Sequence, residues 1–417
     1  MDMISFLPND LLFKILSLLP TKDVLKTCVL SKRWQSVWMF VPKLEYILSD
    51  RNADNWSRWR DVWFVDKTLI SNKAHVLESL HFKLSRKVSE SEIGFWVKIA
   101  VGKGLRELNY ELSCTIDEPI RLPQILYVCG TLVVLKLTNV SLTDVTTFPV
   151  RFLSLKTLHL RSVIYLDDES PRKILSSCTV LEVLVVNRDR NDNVKTFSIS
   201  VPSLQKLIYD GTCPTQEDDS EFVMNAPSLK YLEIVDHGYA CRIEKMPEIV
   251  TANVNAVYWN TDNILSSLTS VKRLSLCLQS ESLYPTGEIF HQLVELEFCT
   301  CDPEWDLLMT LLKHSPKLRA LKLNDRRDGI LGEPLLHWDE PSSVPETLKF
   351  GLETLEWRNY RGWKIYEELA KFILKHSCSL KTAIFSPVAT SLKKKHGMLM
   401  ELALMSRGSK TCQLVFG

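Results

Sequence analysis

Residues 229–234 read LKYLEI, which places Leu229, Leu232 and Ile234 at the first, fourth and sixth positions of a short run. In an extended chain successive side chains point to opposite faces, so Leu232 and Ile234 go to one side and Tyr231 and Glu233 to the other. The same spacing, with conservative apolar replacements, begins at Leu77, Leu105, Leu132, Leu155, Leu181, Leu204, Leu229, Val271, Leu293, Leu318, Leu352 and Leu380. Successive starts are mostly about 22 to 28 residues apart, a step that marks a stacked array of short supersecondary units. A degenerate copy, Ile249 to Val254, falls in the gap between Leu229 and Val271. Neighbouring strands of such an array pair into one curved parallel sheet, so the expected fold class is α/β with an irregular solenoid at its centre.

The convex side needs an apolar layer of its own. Leu307, Leu308, Leu311 and Leu312, and later Leu369, Phe372 and Ile373, supply it at helical spacing. Pro202, Pro227 and Pro316 sit two residues ahead of a repeat leucine, where a helix has to have ended. The pattern resembles the leucine-rich repeat, whose signature expects Asn or Cys eight positions after the first leucine. Here that position holds Val140, Val163, Asp189, Thr212, His237, Gln279, Cys301 and Arg326. The usual asparagine ladder is mostly missing.

Ahead of the array, residues 6–44 read FLPNDLLFKILSLLPTKDVLKTCVLSKRWQSVWMFVPKL. Leu11, Leu12, Ile15, Leu16 and Leu19 share one helical face, with Asn9 or Asp10 in the N-cap position and Pro20 as the stop. Thr21 opens a second short helix through Leu25 and Val29. Ser31 caps a third, on which Trp34, Val37, Trp38 and Val41 fall at i, i+3, i+4 and i+7 before Pro42. Three helices in roughly 40 residues are near the lower limit for a self-sufficient core, so much of this apolar surface is expected to meet another molecule.

The order Leu-Pro-x-Asp-Leu-Leu, Leu-Pro-Thr-Lys-Asp, Val-Leu-Ser-Lys-Arg-Trp resembles the F-box, the module that hangs a substrate receptor on the Skp-family adaptor of a cullin-RING ubiquitin ligase. The resemblance implies adaptor contacts from Leu7, Pro8, Leu11, Ile15, Leu16, Leu30, Arg33, Trp34 and Trp38. Beyond it, Asp50 to Asn72 is tryptophan-rich: Trp59, Val62, Trp63 and Ile70 fit one helix face, expected to cap the open end of the solenoid.

Between Asn324 and Thr347 the repeat spacing stretches through turn-forming residues, which makes a boundary there. Past it, PSSVPETLKFGLETLEW, EELAKFILKHS, LKTAIF and the closing SRGSKTCQLVF resemble the FBD domain of plant F-box proteins over Pro341 to Phe416. The expected division is an F-box over 1–48, a helical cap or linker over 49–76, leucine-rich repeats over 77–335 and an FBD domain over 336–417 that continues the repeats.

With 45% hydrophobic and 24% charged residues in 417, the composition is that of an ordinary globular protein. A net charge of +1 speaks against a dedicated nucleic-acid binder, which needs a surplus of cations to displace counterions. The N-terminus lacks the pattern of a secretory signal and no run is long enough to cross a bilayer, so the expected location is the cytosol or nucleus with no membrane partner. Eleven scattered cysteines read as buried or free thiols. Cys178 and Cys378 both precede a repeat leucine, where a small buried residue is expected.

The sequence carries no recognisable catalytic motif. A RING would need paired C-x-x-C zinc ligands, and the nearest approach is Cys299-Thr-Cys301. Gly102-Lys-Gly104 lacks the spacing of a phosphate loop and reads as a turn. Asp167-Asp168 and Asp218-Asp219 read as solvated turns, and His159 as a surface residue on an outward strand position. No catalytic residue, metal or cofactor is expected.

The resemblance therefore implies a non-catalytic substrate receptor of an SCF-type ligase, coupled through its adaptor to cullin and RING subunits and holding an unknown target protein. Target contacts are expected on outward strand positions: Arg161, Tyr231, Glu233, Lys322 and Arg358. Two other roles stay open: a small-molecule sensor that uses the repeat pocket, and a non-ligase interaction scaffold. The outward cations Lys83, Lys136, Lys206 and Arg273 could serve a sensor only by converging, yet Glu107, Glu111, Glu295, Glu297 and Glu356 are interspersed with them.

Overall fold

A computed structural model describes residues 4, 7–48, 55–85, 88–113, 120–142, 145–189, 192–211, 221–236, 240–256, 261–278, 288–300, 305–326, 338, 340–388 and 391–417. The chain divides into two units, Met1–Leu204 with Cys213–Thr215 and Gln205–Thr212 with Gln216–Gly417. Each is α/β and is built like a leucine-rich-repeat solenoid around a parallel sheet.

The first unit opens with α1 (Asn9–Leu16), α2 (Thr21–Lys26) and α3 (Trp34–Val37). Short 3-10 turns at Thr27–Val29 and Trp38–Phe40 extend the second and third. The expected caps are not used. Pro8 stands at the N-cap of α1 and Asn9 is already inside it, while Arg33, not Ser31, precedes α3. Proline's fixed φ suits the entry into a helix, and having no side-chain acceptor it leaves the amides of the first turn without a cap. Leu12, Leu16, Val24, Trp34, Val37 and Val41 form the core of these helices.

Directly after Pro42, strand Lys43–Leu48 begins the sheet and pairs in parallel with Ser79–Leu84. Glu107–Leu112, Val134–Thr138, Thr157–Tyr165 and Val183–Arg188 follow in order. The register stacks Leu44, Leu80, Leu108, Leu135, Leu158 and Leu184 in one inward column. A second column holds Tyr46, Phe82, Tyr110, Leu137, Leu160 and Val186. Thr21 Oγ1 accepts the Glu45 amide at 2.9 Å, so α2 covers part of an edge that would otherwise present unpaired backbone.

α4 (Asn55–Ser71) connects the first two strands, so it is the convex segment of the first rung and not an end cap. Its buried face is also not the expected one. Val65, Thr68 and Leu69 are buried, Thr68 Oγ1 and Tyr46 Oη share a hydrogen bond of 2.8 Å, and Asn72, just past the helix, donates to Val41 O at 3.0 Å. Trp59 and Trp63 are instead 69% and 50% exposed. α5 (Glu90–Gly102), started by a reciprocal Ser89–Glu92 capping box, and α6 (Glu169–Ser176) serve later rungs. Gly104, at φ 67°, makes the expected turn after α5.

In the second unit the parallel strands are Lys206–Gly211, Tyr231–Asp236, Thr251–Ala256, Arg273–Leu278, Glu295–Cys299, Ala320–Asn324, Thr354–Tyr360, Thr382–Pro387 and Gln413–Phe416. The degenerate copy at Ile249–Val254 fills its gap with a full strand, Ala252 taking the leucine place between Leu232 and Leu274. α7 (Thr261–Ser267), α8 (Trp305–Lys313), α9 (Lys364–His376) and α10 (Leu392–Leu404) complete the unit. The predicted apolar layer on α8 and α9 is buried. Pro316 follows a helix as expected, but Pro227 follows a strand, Glu221–Asn225, paired in parallel with Ala240–Ile243. In the first unit Pro202 likewise follows a strand, Thr196–Ser200.

The missing asparagine ladder has a local substitute one position earlier. Asn139 and Asn359 take positive φ of 58° and 54°, and their amides donate to Leu112 O and Asp325 O. Asparagine tolerates this left-handed conformation better than most residues. The closing run SRGSKTCQLVF belongs to the fold: Gly408 N donates to Leu374 O at 2.9 Å and Gln413–Phe416 is the last strand. A Cβ on Gly408 would lie 2.5 Å from Lys375 O, so this passage requires glycine.

Leu296 is fully buried in the inward column. Leu296→Ala is expected to cost about 2–5 kcal/mol, read as a lower urea midpoint for the second unit; an unchanged midpoint would contradict the column's place in the core.

Candidate functional site

Two surfaces could serve function, the N-terminal helices and the outward faces of the sheets. On the helices the structure sorts the nine implied contact residues into three kinds. Pro8, Leu11, Ile15 and Leu30 are exposed, with Leu11 at 44%, Ile15 at 43% and Leu30 at 60%. Leu7, Arg33 and Trp38 are half-buried. Leu16 and Trp34 are core residues, 1% and 3% exposed, so neither side chain is available to a partner in this conformation. The reason is the width of the face: an apolar stripe spanning two neighbouring columns has one column inside and one outside.

Leu18, Leu19, Val29 and Phe40 are also exposed and were absent from the implied set. Val29 follows α2 at 87% exposure, next to Leu30. Apolar residues on consecutive solvent-facing turns were the available signal. A small domain has no folding reason to leave so many uncovered, and such clusters mark interaction sites. Arg33 acts inside the module: its Nη2 donates to Leu7 O and to Asn9 Oδ1, each at 2.6 Å. These bonds hold the leading Leu-Pro segment against the start of α3, which positions the exposed face.

The outward positions carry a ladder of opposite charges. In the first unit His81 lies 3.2 Å from Glu45, Lys83 3.3 Å from Glu111 and Lys136 3.3 Å from Glu107. Arg161 is exposed in this unit, at the end of the regular part of its strand. In the second unit Lys322 pairs with Glu295, Arg326 with Glu297 at 2.8 Å and Arg358 with Glu356 at 2.7 Å. Exposed pairs of this kind add only about 0–1 kcal/mol each to stability. Their consequence is a face with little net charge, which removes the convergent cationic pocket a polyanion would need.

Tyr231 and Glu233 do come together: the Tyr231 hydroxyl donates to Glu233 Oε2 at 2.6 Å and accepts from Asn253 Nδ2 at 3.3 Å. Lys206 Nζ lies 4.8 Å from the centre of the same ring. Partial burial, followed by the hydrogen bond and charge of Glu233, pushes the Tyr231 phenol above its ordinary value. Lys322 and Arg358 sit on adjoining strands, four and five strand steps from Tyr231. At about 4.8 Å per step those are about 19 and 24 Å, so the second unit presents two small clusters, not one pocket.

Glu297 sits between them. Burial would raise its carboxyl, but hydrogen bonds from Arg326 and Asn324 outweigh that and hold it below the usual range. Farther along, buried Asp325 pairs with Arg361 Nε at 2.9 Å and accepts from the Tyr366 hydroxyl at 3.2 Å, fastening strand Ala320–Asn324 to α9. Sequence spacing gave no hint of this bond, because its members are about 40 residues apart.

Potential reactive groups are accounted for structurally. Burial pushes the Cys178 thiol up to about 12, so it is inert at neutral pH. Cys378 is exposed, contrary to expectation, because its neighbour Ser377 takes the buried place. Asp168 is no free solvated acid either: it accepts the amides of Lys195 and Thr196 at 2.7 and 3.2 Å. Cys301 and Asp218-Asp219 lie outside the described residues. Among the described residues no group of three or more His, Cys, Asp or Glu is placed to hold a metal, and no helix is long and apolar enough to cross a membrane.

Comparison with known proteins matches the F-box domain family over residues 4–45 and the FBD family over 340–385. The leucine-rich repeats of FBD-associated F-box protein At5g56370 match over 93–253. That Arabidopsis thaliana protein is 57% identical over the full length of both chains. F-box/FBD/LRR-repeat protein At5g56420, from the same organism, is 48% identical over all of this chain and 99% of its own. F-box/FBD/LRR-repeat protein At4g26340, also from Arabidopsis thaliana, is 43% identical over all of both.

Replacing Glu233 with Gln removes the carboxylate that discourages the Tyr231 phenolate. The Tyr231 titration, isolated as the ultraviolet difference from a Tyr231→Phe chain, is expected to move to lower pH in Glu233→Gln. An unmoved titration would mean the 2.6 Å bond is not formed in solution.

Proposed function

The chain belongs to the FBD-associated F-box protein family, and on that premise we propose that it is the substrate-recognition subunit of an SCF-type cullin-RING ubiquitin ligase. Its N-terminal helices dock on a Skp-family adaptor, which connects it to cullin and RING subunits. The outward faces of the repeats hold a target protein. The observation that carries this reading is the exposed apolar set Leu11, Ile15, Val29 and Leu30, standing on helices whose core is already filled by Leu12, Leu16, Val24 and Trp34. Docking can then bury the exposed set without opening the core.

Such a chain contributes no covalent chemistry. It holds the target beside the charged conjugating enzyme, so that lysine transfer proceeds at a high effective concentration instead of by chance encounter. We place target contacts at Arg161, Tyr231, Glu233, Lys322 and Arg358. The interleaved charges around them support a folded protein partner with complementary charges, because a partner must replace each exposed ion pair it disrupts. Free thiols at Cys129 and Cys178 fit a reducing compartment, the cytosol or nucleus.

Buried apolar anchors contribute about 2 kcal/mol or more each to an interface. Leu11→Asp with Ile15→Asp is therefore expected to abolish co-purification of the adaptor while leaving the circular dichroism spectrum and melting curve intact. Trp34→Ala should also lose the adaptor, but by loosening the helices, since emptying a buried tryptophan site costs about 3–5 kcal/mol. Retained adaptor binding in the folded double variant would overturn the docking assignment.

A further inference from the structure

On the outward side of the second unit two neighbouring strands each carry a cysteine. Strands Arg273–Leu278 and Glu295–Cys299 pair in parallel, in register from Arg273 with Glu295 to Leu276 with Phe298. Cys277 and Cys299 each follow that last pair by one residue. By alternation they lie next to one another on the face opposite Leu276 and Phe298. Neighbours in such a ladder have Cα atoms about 4.8 Å apart, inside the span of about 4.4–6.8 Å that a disulfide bridges. Neither cysteine is joined in a disulfide, and each is 7% exposed although it faces outward.

Arg326 lies across the same two rows. From beyond the end of Ala320–Asn324 its Nη2 reaches Glu297 Oε1 at 2.8 Å and Ser275 Oγ at 3.1 Å, the outward positions immediately before the two cysteines on their strands. The guanidinium therefore crosses from its own strand to the second one over, near enough to both cysteines to interact with them electrostatically. Burial works against its charge, but Glu297 and the two nearby cysteines favour it, and the net effect is a more firmly protonated arginine. A fixed cation beside a thiol stabilises the thiolate that a peroxide oxidises.

We propose that Cys277 and Cys299 form an oxidation-sensitive dithiol, which hydrogen peroxide closes to a disulfide between the two strands beneath Arg326. One thiolate attacks the peroxide, breaking its O–O bond; the sulfur becomes a sulfenic acid and the distal oxygen leaves as water after taking a proton. The second thiol then attacks that sulfur, the S–S bond forms and the sulfenic oxygen departs as a second water. Two thiols are oxidised and one peroxide is reduced. A dithiol reductant reverses the change by exchange. The site rests on strand register alone and stands whether or not the outward face captures a target.

The test uses the full chain, reduced and freed of reductant, exposed to a small excess of hydrogen peroxide, blocked with N-ethylmaleimide and mapped as non-reduced peptides. The expected result is a linked peptide joining Cys277 to Cys299, which disappears on treatment with dithiothreitol. Cys277→Ser and Cys299→Ser should each abolish it, and Arg326→Gln should slow its formation several-fold. If both thiols are recovered alkylated under conditions that oxidise the exposed Cys378, or if Cys299 is linked to a different cysteine, the proposal is wrong. The decisive readout is made on the unaltered chain, so it does not depend on any variant folding.

Discussion

Everything in this protein hangs from the inward columns of its parallel ladders. In the first unit Leu44, Leu80, Leu108, Leu135, Leu158 and Leu184 stack rung on rung, and in the second Leu207, Leu232, Ala252, Leu274, Leu296, Leu321 and Leu355 do the same. A single rung cannot bury its apolar side, because the residues that cover it belong to its neighbours. The register is correspondingly strict. A slip of one residue would turn a whole rung's leucines to solvent and its lysines and glutamates inward.

The ends are where such an array needs help, and the N-terminal helices give it. Thr21 bonds to the first strand at Glu45, and strand Lys43–Leu48 grows directly out of the helical module. The module is therefore both the proposed docking surface and the start of the sheet. Its small core, with Trp34 at the centre, keeps the exposed Leu11–Ile15 face at a fixed place on the first rung. At the other end Gly408 lets the tail pass close to the end of α9, so that Gln413–Phe416 can add the last strand.

The repeat starts were legible in the sequence because three positions per rung are committed to the core and tolerate almost nothing polar. Even the degenerate rung at Ile249 kept its pattern. What escaped was whatever the third dimension decides. The α4 periodicity named a face but not its side, since tryptophans and valines share the helix, and packing against Tyr46 chose Val65 and Thr68. Trp34 entered the docking set through the family resemblance, and the fold places it in the helical core instead. Outward positions were correctly set apart from the core, yet their pairing with charges a whole rung away depends on which strands are neighbours. The bond from Arg361 to Asp325 and the reach of Arg326 to Ser275 were hidden for that reason.

The two surfaces are proposed to serve different partners: the helices the adaptor, the outward faces the target. Amide hydrogen exchange of the full chain, with and without a purified Skp-family adaptor, tests this division most directly. Added protection is expected to be confined to residues 7–40, with the strand amides from Tyr231 to Arg358 unchanged. Protection on those strands, or none on the N-terminal helices, would contradict it.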